Sequence, residues 1–68
     1  MNKTFLELGY ELLKSLGITT LIVYPDKLEI TKTFDKQQII AWGKTETEVV
    51  ENFYYLYQEL MNPSWSSL

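Results

Sequence analysis

The feature that most constrains this chain is a double change of hydrophobic period. The apolar residues recur every three to four positions up to Leu16, every second position between Leu28 and Phe34, and every three to four again from Val49 onward. A helix therefore opens the chain, strands fill its middle, and a second helix closes it. The sequence predicts an α+β domain of order α-β-β-β-α, in which a three-stranded antiparallel meander packs with an N-terminal and a C-terminal helix.

The first helix is expected over residues 4–16. Thr4 stands as N-cap with Glu7 three positions on, a capping box, and Gly17 is placed to end the helix in a left-handed conformation. Phe5, Leu8, Leu12 and Leu16 share one face, which Leu6, Tyr10 and Leu13 widen, leaving Glu7, Glu11, Lys14 and Ser15 on a narrow polar strip. Gly9 falls inside the apolar arc, where a missing side chain lets another backbone come close at a helix-propensity cost of about 1 kcal/mol.

Residues 18–24 are apolar or β-branched on both faces, as in a strand covered on two sides. Tyr24-Pro25-Asp26-Lys27 is a turn, because proline presets φ at its second position. Residues 28–34 alternate: Leu28, Ile30 and Phe34 point one way, Glu29, Thr31 and Thr33 the other, and Lys32 lies on the apolar side with its stem along the core. Asp35-Lys36 turns the chain into a third strand over residues 37–42, and Gly43 releases it. The second helix is expected over 46–61, with Thr45 and Glu48 as a capping box and Glu46, Glu48 and Glu51 near the positive end of its dipole. Asn62-Pro63 stops it, and 62–68 is a loose tail carrying Trp65.

At 68 residues, there is room for one hydrophobic core, so the whole chain is one domain. With no cysteine, no disulfide can staple it, and burial or self-association must hold it. No apolar run reaches bilayer length and no leader pattern stands at the N-terminus, so a cytoplasmic location without membrane attachment is expected. The net charge of -3 arises from nine carboxylates against six lysines, with no arginine. That field repels phosphate, and nucleic acid is an unfavoured partner.

Without His or Cys, the usual general bases, thiol nucleophiles and zinc ligands are missing. Gly9, Gly17 and Gly43 are scattered and build no phosphate loop. Glu48 and Glu51 are spaced to share a hard cation, yet an acidic first turn answering the helix dipole explains them without one. No enzyme and no cofactor are expected.

The remaining candidates are surfaces for a protein partner or a second copy. Tyr55 lies opposite Phe53 and Tyr57 on the helical wheel, so a monomer exposes its ring among Glu48, Glu51 and Glu59. With Tyr54 on the border of the apolar stripe and Trp65 in the tail, these residues form an acidic, aromatic candidate partner surface. Residues 18–24 lie at a sheet edge in a simple meander, so Ile18, Thr20, Ile22 and Tyr24 are candidates for pairing across a two-fold axis into a six-stranded sheet. The alternative use is nucleic-acid binding through Lys27, Lys32 and Lys36 on the hairpins, with Trp42 as a stacking platform.

Two family resemblances carry few residues. The element order and the stretch Gly43-Lys44-Thr45 before the last helix resemble the double-stranded-RNA-binding domain, but that family's lysines are replaced here by Glu46, Glu48 and Glu51. Gly43, Thr45 and Glu48 resemble the strand-to-helix link of small HicB-type antitoxins, a match that amounts to a capping box after a glycine. The best expectation is a small non-enzymatic interaction module, homodimeric, of the kind that phages and mobile elements use as inhibitors or regulators.

Overall fold

In a computed structural model of the chain, residues 3–61 are described. They form α1 (Phe5–Ser15), β1 (Ile22–Val23), β2 (Leu28–Phe34), β3 (Gln37–Gly43) and α2 (Glu46–Met61), a mixed α+β fold in the expected order. The strands make one antiparallel sheet in the order β1-β2-β3.

Both ends of α1 are set by local chemistry. Thr4 Oγ1 accepts the Glu7 amide at 3.2 Å while the Glu7 carboxylate accepts the Thr4 amide at 2.9 Å, closing the capping box. At the other end Gly17, at φ 75°, donates to the Lys14 carbonyl, and Ile18 donates to the Leu13 carbonyl at 2.9 Å. This is a full Schellman motif.

That motif corrects the first strand. The expected strand over 18–24 is in fact the two residues Ile22–Val23, and Ile18, Thr20 and Tyr24 lie outside it. The Ile18 amide is committed to the end of α1, and its half-buried side chain packs on the core with Leu13. The four residues after Gly17 thus carry the chain from helix to sheet, and their β-branched composition is overridden by the cap. Tyr24 donates its amide to the Lys27 carbonyl at 2.9 Å across Pro25-Asp26, closing the first hairpin as expected.

The register of β2 on β3 pairs Ile30 with Ala41, Lys32 with Ile39, Glu29 with Trp42 and Thr31 with Ile40. One face of the sheet therefore carries Ile30, Ile39 and Ala41, which join Leu13, Val49, Val50 and Phe53 in the core. α2 lies on this face, mainly over β3, and α1 backs onto α2 rather than onto the strands. The helices are thus a stack on one side of the sheet, not two parallel supports.

Two glycines set the spacing of that stack. A Cβ on Gly9 would lie 2.6 Å from Val50 Cγ1 and 3.1 Å from the Val50 carbonyl oxygen, so the missing side chain lets α1 and α2 cross closely. A Cβ on Gly43 would run into the backbone of Val49, which seats the start of α2 against the end of β3. There Thr45 Oγ1 accepts the Glu48 amide at 3.1 Å, but the Glu48 carboxylate reaches one residue further than a capping box requires and accepts the Lys44 amide at 2.9 Å. Among the described residues, no helix is long and apolar enough to cross a membrane.

Candidate functional site

Among the described residues, the helices cover one face of the sheet and leave the other open. By the pleat and the register, the open face carries Ile22 from β1, Glu29, Thr31 and Thr33 from β2, and Gln38, Ile40 and Trp42 from β3. Four large side chains here remain exposed: Ile22 by 46%, Ile40 by 42%, Trp42 by 43%, and Tyr24, just past β1, by 39%. Tyr55 of α2, 55% exposed, stands at the rim beside Ile40 and Trp42.

At the centre of this face lies a carboxylate that the surface does not expose. Glu29 retains only 8% of its accessible area, flanked in register by Ile22 and Trp42. Its oxygens are satisfied by the Tyr24 hydroxyl, which donates at 3.1 Å to Oε1, and by the Thr31 hydroxyl, which donates to Oε2. The Tyr24 ring packs on Trp42 with centroids 5.9 Å apart. The Lys27 ammonium sits 4.2 Å from the Trp42 centroid and 5.5 Å from that of Tyr24. Hydrogen bonding to Glu29, together with desolvation and the charge of the same carboxylate, raises the Tyr24 phenol above its ordinary pKa. The five side chains form one connected cluster that fixes two aromatic rings on the sheet.

The lysines expected to form a patch do not converge. Lys27 lies on the open face over Trp42, whereas Lys32 alternates with Ile30 onto the helix side, and Lys36 sits in the β2–β3 turn. Lys27 and Lys36 are separated by the length of β2, roughly 20 Å at about 3.3 Å per residue. The Trp42 ring, still exposed, already has the Lys27 ammonium over it.

The acidic surface of α2 is partly engaged within the chain. Glu46 accepts the Tyr10 hydroxyl at 2.7 Å, a bond that raises the Tyr10 phenol above its usual value, and Glu48 holds the Lys44 amide. Among the described residues, no three carboxylates converge as metal ligands. Tyr54 is half-buried at the α1–α2 crossing with its ring 5.9 Å from that of Phe5. Glu51 is half-buried, and Glu59 is exposed beside Gln38 and Ile40. Trp65 lies outside the described residues.

A hollow of about 240 Å³ between α1 and residues 18–21 is lined by Tyr10, Leu13, Ile18, Leu21, Glu46 and Val50. It is smaller than the roughly 300–1,000 Å³ usual for small-molecule sites. Sequence reasoning missed the Tyr24–Glu29–Thr31 cluster and the exposure of Ile40. The signal for the first was present, because Glu29 and Thr31 share a strand face and a two-residue turn brings Tyr24 back across it. No protein-family model, curated protein sequence or solved structure matches the chain.

Proposed function

We propose that the protein is a non-enzymatic interaction module that works as a homodimer, two copies meeting through their helix-free sheet faces and offering the exposed acidic residues of α2 to a protein partner. The observation that carries this reading is the placement of Ile22, Tyr24, Ile40 and Trp42 on a face that no helix covers among the described residues. With Tyr55, these side chains leave about 500 Å² of mainly apolar surface open, taking roughly 150–250 Å² for a large side chain. A stable interface buries about 800 Å² per partner, so the patch provides its core and Thr33 and Gln38 part of its polar rim.

The chemistry of the face suits a second sheet. Sheets stack at about 10 Å with interleaved side chains, and a charge in such a layer is tolerated only when its hydrogen bonds are made. Glu29 meets that condition through Tyr24 and Thr31. A two-fold sheet-on-sheet contact is also closed, which limits the assembly to two chains.

Light scattering at micromolar concentration tests the reading. The expected mass is twice the 8.0 kDa of the chain, and Ile40→Lys, at a solvent-facing position of the monomer, should return it to one copy with an unchanged circular dichroism spectrum. A wild-type mass of one copy over that range would refute the dimer.

A further inference from the structure

The sheet has a long edge on the side opposite to the one its sequence suggests. β1 contributes only two residues, whereas β3 contributes seven and pairs with β2 alone, so its other side is open among the described residues. In an antiparallel ladder, backbone groups alternate between the partner strand and the opposite side. The Trp42 carbonyl accepts from Asn52 Nδ2 of α2 at 2.7 Å rather than from β2, which sets the phase: Gln38, Ile40 and Trp42 turn their backbone groups to the open side.

A shallow groove runs along this edge. α2 forms its wall through Asn52, Leu56 and Glu59, and Ile40 and Gln38 form its floor. From this geometry we infer that β3 accepts an extended, basic and apolar peptide segment as a fourth strand, a proposal that rests on the reading of the protein as an interaction module and names the chemistry of its partner.

Three properties select that occupant. The open backbone donors and acceptors of Gln38 and Ile40 call for an extended chain. Side chains of an added strand alternate between two surroundings, the open face beside Ile40 and the α2 wall beside Leu56 and Glu59. The first takes aliphatic residues. The second takes a long basic one, because Glu59 stands on that wall and α2 carries no lysine or arginine over its 16 residues.

A second copy cannot occupy the same edge in register. Neighbouring strands lie about 4.8 Å apart, while packed helices need about 8–10 Å between axes. Since α2 lies over β3 and reaches its open edge through Asn52, pairing β3 with its own copy would force two α2 helices closer than they can pack. A bare strand brings no helix and avoids that conflict.

The test titrates the full chain, isotopically labelled, with a seven-residue peptide alternating valine and lysine and blocked at both ends. Amide resonances of Gln38 and Ile40 should shift saturably, and those amides should gain exchange protection. The matching valine–glutamate peptide should bind about two- to fivefold more weakly, the range of a rim charge, and Glu59→Lys should reverse that order. A valine–lysine peptide N-methylated along one edge should not bind when that edge faces β3. The proposal is overturned if no shift occurs up to millimolar peptide, if both charge versions bind equally, or if the Ile40 amide is already protected in the free protein by residues 62–68 or by another copy. Mass measured on the same samples separates the two readings: a dimer that ignores the peptide sinks only the strand addition, and a monomer that binds it sinks only the dimer.

Discussion

Gly9→Ala is the sharpest probe of how this small core is closed. On helix propensity alone, the change should stabilise α1 by up to about 1 kcal/mol. The structure reverses the sign. The new methyl would sit 2.6 Å from Val50 Cγ1 and 3.1 Å from the Val50 carbonyl oxygen. Val50 is fully buried and β-branched, so its side chain has no other rotamer to adopt cheaply, and the carbonyl moves only if α2 moves. Overpacking of this kind costs about 1–3 kcal/mol, and with a backbone oxygen among the clashing atoms the cost falls in the upper half of that range, leaving a net loss of about 1–2 kcal/mol after the propensity gain. For a domain of this size that is a fall of roughly 5–15 °C in Tm, at about 4–8 °C per kcal/mol. Thermal melts followed by circular dichroism read it directly. A double-mutant cycle with Val50→Ala identifies the cause: truncating Val50 should cost about 1 kcal/mol less in the Gly9→Ala background than in wild type, because it removes one of the two clashes. A Gly9→Ala protein that melts at or above the wild-type temperature, or two strictly additive substitutions, would refute the close crossing.

Three further outcomes follow from named contacts. Tyr24→Phe removes the hydroxyl that Glu29 accepts, and because that phenol has a raised pKa when folded, its contribution is fully present below about pH 10, the unfolded value, and is lost as pH rises through the folded value. Urea melts of the two proteins should thus differ at pH 7 and converge at higher pH, and a gap that widens above pH 10 would contradict the assignment. Thr4→Ala should cost about 1 kcal/mol by opening the capping box, with faster amide exchange at Glu7 than in wild type. Gly43→Ala should destabilise by about 2 kcal/mol or more in denaturant melts, since the Cβ would lie 2.8 Å from Val49 Cα and the start of α2 must shift to admit it.

Much of this architecture was legible in the residue pattern. α2, β2 and the capping box of α1 follow from periodicity and from side chains that satisfy their own backbone neighbours, and these signals are local. β1 misled because its β-branched residues compete with a Schellman motif whose hydrogen bonds claim the Ile18 amide, and composition does not weigh one against the other. The long edge of the sheet is accordingly β3 rather than residues 18–24. The layering was also out of reach: the apolar arc of α1 fits a sheet contact as well as a helix contact, and only the tertiary packing places α2 between α1 and the strands. For the candidate site, Tyr55 stands out in the sequence as an aromatic without an obvious place in the core, whereas Trp42, at the end of a strand, reads as core or rim packing and is 43% exposed in the structure. Glu29 does not stand out, because its burial is produced by Tyr24, Trp42 and Thr31 arriving from two other segments and its own strand.

The claim on which the functional reading turns is that two copies meet through the open sheet face. Isotope-filtered nuclear Overhauser spectroscopy on a mixture of labelled and unlabelled chains tests it most directly. The account predicts intermolecular contacts among the Ile22 and Ile40 methyl groups and the Trp42 indole, with none from Leu13 or Val50 on the helix side. Intermolecular contacts confined to α1 or to the outer surface of α2, or no contacts at concentrations where the protein is intact, would contradict it.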